Sequence, residues 1–284
     1  MSLSPTPRID ERLPRFDACW ALFLDVDGTL IDFAERPDAI VVCARLRAAL
    51  ERIFQRNGGA LALISGRPLA DLDRLFEPAQ YPAAGQHGLE RRGHRGRVTR
   101  VAGLASRVSQ AAQDILAQAH GLAGVIVEHK GLSVAIHYRG APQLRDWVAR
   151  ATRAQLLRLG DEFRLIEGNM VSEIGLSGKD KGAAIAEFMR EPPFVGRLPV
   201  FVGDDATDED GFAVVDAFHG LSVKVGPGPS LARWRASGTE RVRRWLEDYA
   251  DYLASPQQPA GAIKAVSVSH QSFGMAWRRF RTRF

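Results

Sequence analysis

The chain has 284 residues, 45% of them hydrophobic, and carries 38 Lys and Arg against 33 Asp and Glu for a formal net charge of +5. That length supports one large domain or two smaller ones, and no apolar run approaches the roughly 20 residues of a membrane span. The positive excess sits in residues 255–284, where Lys264, Arg278, Arg279, Arg281 and Arg283 have no acid beside them, so residues 1–254 balance at 33 of each sign. A neutral body argues against nucleic acid as a partner.

Met1–Arg8 shows no apolar h-region, so a cytoplasmic protein without a signal peptide is expected. Cys19 and Cys43 have no metal-ligand spacing and read as free thiols. The first strong element is the charge-free run Ala21-Leu22-Phe23-Leu24, short as a buried parallel strand is. It delivers Asp25 and Asp27 into a Gly28-Thr29 turn. Carboxylates at the end of a buried strand are costly unless a metal or a reaction compensates them. Their spacing of two would put both on one face, where two anions raise one pKa unless a cation intervenes.

A helix is predicted from Pro37 to about Gln55, with Ile40, Val41, Ala44, Leu46, Leu50, Ile53 and Phe54 at helical spacing and a stop at Asn57-Gly58-Gly59. The strand Leu61–Ile64 ends in Ser65-Gly66-Arg67, and Pro68 opens a helix to about Phe76. Ala83–Gly88 reads as a short strand and turn that completes a βαβαβ unit.

The texture then changes. Arg91–Arg97 is a charged turn between short strands, a helix follows at about 104–120, and Val125–Glu128 and Ser133–Tyr138 form a hairpin around Lys130-Gly131. A second helix spans about 143–159, and Phe163–Glu167 pairs with Met170–Ile174 around Gly168-Asn169. This is a β-α-ββ-α-ββ insert. The first fold resumes with a helix after Lys179-Asp180-Lys181-Gly182 and a strand, Pro199–Gly203, that ends in Asp204-Asp205-Ala206-Thr207-Asp208-Glu209. The expected fold is α/β: a Rossmann-like parallel-sheet core from 15–92 and 178–252, an inserted α+β cap over 93–177, and a basic tail over 253–284. In the tail, Trp277, Phe280 and Phe284 would share a helix face; the plainer reading is a loosely docked extension.

In an open parallel sheet, ligands sit beyond the carboxyl ends of the strands. Three strand ends and one helix start therefore converge on a crevice holding carboxylates, a hydroxyl, a Lys and a divalent metal. That inventory suits phosphoryl transfer. The four segments resemble the signature motifs of the haloacid dehalogenase superfamily, Asp-Val-Asp-Gly-Thr-Leu above all. The Gly-Asp-Asp-x-Thr-Asp-Glu segment narrows this to sugar phosphatases. Glu128-x-Lys130-Gly131 with Ala135-x-His137-Tyr138-Arg139, and Gly85-Gln86-His87-Gly88-Leu89-Glu90, resemble the trehalose-6-phosphate phosphatases.

The resemblance implies Asp25 as nucleophile and metal ligand, and Asp27 as general acid/base and metal contact through its carbonyl. It implies Asp204 as a further ligand to Mg²⁺, Asp205 and Asp208 as the supporting metal shell, and Ser65 and Lys181 as the phosphoryl clamp. For Asp208 a helix-start role is an equal alternative. Lys179 competes with Lys181, which the family form Asp-Lys-Gly favours. Sugar contacts are implied for Arg67, His87, Glu128, Lys130 and Glu173. The family pattern after the last Glu is Ile-Arg-Pro; here it is Ile174-Gly175-Leu176. The implied reaction is hydrolysis of trehalose 6-phosphate to trehalose and phosphate, with a synthase of that phosphate as functional partner. The alternatives are a phosphatase of mannosyl-3-phosphoglycerate or sucrose phosphate, and a non-catalytic regulatory copy of the fold.

Overall fold

The computed structural model describes residues 13–32, 41–101, 103–168 and 170–255. The charge-free run forms β1 (Trp20–Leu24), in which every residue is buried, as a central strand covered on both faces must be. It is followed by α1 (Ala44–Arg56), β2 (Leu61–Ile64), α2 (Leu69–Phe76) and β3 (Ala83–Gly85), with the three strands parallel. This is the expected βαβαβ unit. Helix α1 starts at Ala44 rather than Pro37 and stops at Asn57 as expected; residues 37–40 of its expected start lie outside the described residues. Pro68 is the N-cap of α2 rather than part of its first turn.

Next, β4 (Glu90–Arg92) and β5 (Val98–Arg100) extend the same sheet antiparallel. The turn at 93–97 thus joins two strands of the large sheet, and the expected boundary at residue 93 falls inside this hairpin. Arg100 Nε and Glu90 Oε1, 3.0 Å apart, tie it across its own register. The insert accordingly opens on a helix, α3 (Ala105–Gln118). It continues through β6 (Ile126–His129), β7 (Val134–His137), α4 (Arg145–Leu159), β8 (Phe163–Gly168) and β9 (Val171–Leu176). The four strands form an antiparallel sheet in the order β6-β7-β9-β8. Helices α3 and α4 cover one face, where Val108, Ile115 and Val148 pack with Val134, Ile136, Phe163 and Ile174. Strand alternation then sends Glu128, Ala135, Arg164, Ile166 and Glu173 to the other face.

The chain returns through α5 (Lys181–Phe188), β10 (Leu198–Gly203), α6 (Glu209–Ala217), β11 (Leu221–Val225), β12 (Trp234–Ala236) and α7 (Thr239–Ala254). The large sheet has the order β12-β11-β10-β1-β2-β3-β4-β5. Alternate residues of β1 serve two cores. Trp20, Leu22 and Leu24 pack with residues of α1 and α7, and Ala21 and Phe23 with Ile185, Phe188 and Phe212 of α5 and α6. Each fully buried side chain of this size contributes about 1.5–3 kcal/mol. From β1 the sheet grows one way through β2 and the other through β10, so the strand order reverses beside β1 and opens a crevice there. No helix among the described residues is long and apolar enough to cross a membrane. Cys19 and Cys43 are free. The expectations for the tail beyond Ser255 lie outside the described residues.

Candidate active site

The crevice at the ends of β1 and β10 holds a buried cluster of charge. Asp25 follows β1 directly, and its amide still bonds Val202 O of β10 at 3.0 Å. Lys181, the first residue of α5, reaches Asp25 Oδ1 and Asp208 Oδ1, each at 2.7 Å. None of the three is more than 4% exposed. Asp204 stands beside them and accepts from the Thr29 hydroxyl at 3.3 Å. Asp208 folds back so that its Oδ2 accepts the amides of Asp204 and Asp205, both at 2.9 Å. That fold-back needs a glycine at 203, because a Cβ there would lie 2.3 Å from Asp208 Cγ. Gly28, at φ 78°, makes the turn that follows the two aspartates.

Burial pushes the Asp25 carboxyl well above its ordinary range; Lys181 opposes the rise, and Asp208 and Asp204 add to it. Burial, then Asp208, raise Asp204 to about 6. For Lys181, burial alone would lower the pKa, but Asp208 and Asp25 win and raise it. Asp25, Asp204 and Asp208 each offer an oxygen within 4.8 Å of the others. With Lys181 counted, two negative charges remain, and the donors are all hard oxygens. The set fits a divalent cation of the Mg²⁺ type. Both Asp208 oxygens are already engaged, so it supports the site through Lys181 and the 204–205 amides. Asp205 is not brought into the group. It accepts from Ala206 N at 2.6 Å and caps the turn Ala206–Asp208, because a residue at the first N–H of a helical turn satisfies donors that otherwise have none.

Arg67 grips Asp27 with two bonds of 2.7 Å. The Ser65 hydroxyl accepts the Arg67 amide at 3.1 Å, which leaves its own hydrogen to donate. Gln86 and His87 both sit in the left-handed region, at φ 49° and 54°, a conformation that costs a non-glycine residue free energy and is held by its surroundings. Glu90 accepts the Leu69 amide at 2.9 Å and fixes the start of α2. Gln86 Oε1 accepts the Leu132 amide at 3.2 Å, which joins the large sheet to the hairpin of β6 and β7.

That hairpin carries Lys130, whose Nζ lies 2.8 Å from Glu173 Oε2 of β9. His87 Nε2 is 3.8 Å from the same oxygen. Burial would raise the Glu173 carboxyl, but Lys130 and His87 hold it far below its usual range. Burial would lower Lys130; Glu173 and Glu128 raise it, and the field of Asp27 contributes. Glu128 hydrogen-bonds His137 Nε2 at 2.8 Å, the main cause of its lowered pKa. Glu173 Oε1 is buried and makes no hydrogen bond. A cavity of about 170 Å³ lies between β8 and the starts of α5 and α6, lined in part by His87, Arg164, Glu167, Lys181 and Thr207.

The structure thus brings Asp25, Asp204, Asp208 and Lys181 into one cluster, Asp27, Arg67 and Ser65 into another, and His87, Lys130 and Glu173 into a third. Lys179 instead pairs with Glu187 at 3.0 Å. Three residues at the junction received no role from the motifs. Asp180 caps α5 by accepting Ala183 N at 2.7 Å, and an Asp just before a helix could have signalled that. Gln86 stands within a family motif and Arg164 within none, and neither sequence position reveals a role, since each acts across the gap between the sheets.

The chain thus combines a parallel-sheet core, a separate four-stranded α+β sheet and a carboxylate-rich switch point. The family model described as trehalose-phosphatase matches residues 23–242, and the chain belongs to that family. It is 44% identical over 239 residues to a trehalose-6-phosphate phosphatase of Escherichia coli (strain K12), which covers 82% of this chain and 88% of that one. It is also 44% identical over 208 residues to a probable trehalose-phosphate phosphatase of Sinorhizobium fredii (strain NBRC 101917 / NGR234), covering 73% of this chain and 78% of the other. Among solved structures, a trehalose-6-phosphate phosphatase related protein superimposes with a TM-score of 0.71 at 22% identity, over 81% of this chain and 97% of that one.

Proposed function

We propose that this chain hydrolyses trehalose 6-phosphate to trehalose and inorganic phosphate by way of an aspartyl-phosphate on Asp25. The observation that carries the sugar assignment is Glu173 Oε1. A buried carboxylate oxygen without a donor costs free energy, and a sugar hydroxyl donates one. Glu173 is fixed by Lys130 and His87, and those two with Glu128 supply directional partners for other hydroxyls.

At the reacting end, Lys181 is the fixed positive charge beside the attacking oxygen of Asp25. It stabilises charge on the transferring group without reorganising. The Ser65 hydroxyl donates to a second phosphoryl oxygen. Asp25 attacks phosphorus in line, the P–O bond to the sugar breaks, and Asp27 gives the departing oxygen its proton. Asp27 then takes a proton from the water that opens the aspartyl-phosphate. Because Arg67 occupies both Asp27 oxygens, one of those two bonds opens when the substrate oxygen arrives. Asp25, Asp204 and the Asp27 carbonyl would hold Mg²⁺, which would supply charge neutralisation for the phosphate oxygens.

The four-stranded sheet with its two helices acts as the cap, over 103–168 and 170–177, and the remaining described residues form the core. The protein works in the cytoplasm beside a synthase that supplies its substrate. The test is phosphate release from trehalose 6-phosphate, sucrose 6-phosphate and mannosyl-3-phosphoglycerate, with Mg²⁺ and with EDTA. Release confined to trehalose 6-phosphate and Mg²⁺ is expected; preference for another sugar phosphate overturns the reading.

A further inference from the structure

Arg164 stands on β8, on the face of the four-stranded sheet turned away from α3 and α4. Its guanidinium lies 3.7 Å from Asp180 and 3.6 Å from Asp210. Those carboxylates belong to the two helices that frame the catalytic cluster. Asp180 is the N-cap of α5 and precedes Lys181; Asp210 lies in the first turn of α6, two residues after Asp208. The helices touch through backbone: a Cβ on Gly182 would fall 2.5 Å from Asp210 O. Two carboxylates that share one guanidinium would repel each other without it. Both contacts are long, and the Arg164 side chain is 38% exposed. Such pairs are individually weak, as a contact that must open and close at each turnover has to be. The Arg164 Nε is nevertheless buried and unpartnered, so the head group is set by its two acidic neighbours rather than by its own sheet.

The geometry points to Arg164 as a positioning residue that seats the four-stranded sheet on the N-termini of α5 and α6, so that the sugar-binding face and the Lys181–Asp208 pair are aligned in the same step. This rests on the sugar-phosphatase reading above. It distinguishes two kinds of substrate. A bulky sugar phosphate needs both surfaces in register, whereas a small aryl phosphate needs only the cluster. It also makes a positional claim. Gly175 of β9 is the direct cross-strand partner of Arg164, so an arginine there would project from the same face one strand away. The neighbour it would displace is the flexible end of Ile166, 2.9 Å from a Cβ at 175.

The experiment compares wild type, Arg164→Ala, Arg164→Lys and the transposed pair Arg164→Ala/Gly175→Arg. Arg164→Ala lowers kcat/KM for trehalose 6-phosphate about fivefold, as the loss of two weak ion pairs implies. Hydrolysis of p-nitrophenyl phosphate stays within about twofold. Raising the ionic strength from about 0.05 M to about 0.5 M brings wild type toward the variant, because exposed pairs are screened. Either Arg164→Lys or the transposed arginine restores at least half of the loss. Hydrogen exchange of the free protein, which needs no substrate, shows faster exchange at the Ala183 and Ala184 amides in Arg164→Ala. Wild-type efficiency in Arg164→Ala, an equal loss on both substrates, or a loss that neither replacement relieves overturns the proposal. If the wild type does not act on trehalose 6-phosphate, the substrate reading fails by itself, and unchanged exchange at Ala183 and Ala184 then overturns the seating role independently.

Discussion

Loss of Lys181 should be expensive. Its ammonium lies 2.7 Å from two carboxylates, Asp25 and Asp208, which are 4% and 0% exposed. Lys181→Met preserves the bulk of the stem and removes the charge, leaving two buried anions beside Asp204. Removing one partner of a buried ion pair costs about 3–5 kcal/mol. At about 2–4 °C per kcal/mol for a chain of this size, the variant should melt about 10 °C below wild type in EDTA at pH 7.5. The deficit should depend on pH, and the sign follows from linkage. The Asp25 and Asp204 carboxyls are already raised in the folded protein, and losing Lys181 raises them further. A raised carboxyl contributes stability that is fully present below its unfolded value near 3.9 and is lost as pH rises through the folded value. The deficit should therefore shrink at pH 5, where the carboxylates take up the proton that replaces the ammonium. Saturating Mg²⁺ should recover part of it at pH 7.5. Calorimetry at the two pH values, with and without Mg²⁺, is the assay. An unchanged melting temperature, or a deficit equal at both pH values, would refute the picture of Lys181 as the counter-charge of the cluster.

Asp25→Asn should abolish phosphate release while keeping the melting temperature within a few degrees of wild type, since Asp208 still holds Lys181; turnover near the wild-type rate in a purified variant would eliminate the covalent route. Glu173→Gln removes the charge but little volume, and should cut kcat/KM for trehalose 6-phosphate at least about 100-fold while p-nitrophenyl phosphate changes by no more than about threefold; parallel losses would mean that Glu173 does not contact the sugar. The thermal shift produced by Mg²⁺ should be larger at pH 7.5 than at pH 5, because the cation competes with protons on Asp204, raised to about 6, and on Asp25; an equal or larger shift at pH 5 would place the ion elsewhere.

The sequence by itself determined the parts that depend on neighbours along the chain. A charge-free run such as Ala21–Leu24 reads as a buried strand, and carboxylates at its end call for a compensating cation, so the sheet and the crevice were legible from short segments. The hairpin around Lys130-Gly131 and the helix stop at Asn57 were legible for the same reason, because turn chemistry is local. Tertiary structure decided whatever depends on which strand lies beside which. Val98–Arg100 has no feature that assigns it to either sheet, and only its pairing with Glu90–Arg92 puts it in the large one. Lys179 and Lys181 carry the same charge two residues apart, but Lys179 lies before the N-cap of α5 and pairs with Glu187, whereas Lys181 opens the helix and reaches Asp25 in the core. Asp205 and Asp208 both read as metal-shell acids, yet the fold-back beneath Gly203 takes Asp208 in and leaves Asp205 as a cap. Arg164 gains its acidic partners only because β8 is laid across the ends of α5 and α6. Side-chain type fixes what a residue can do, but distances between segments more than a hundred residues apart, such as the 2.7 Å from Lys181 to Asp25, exist only once the sheet has closed.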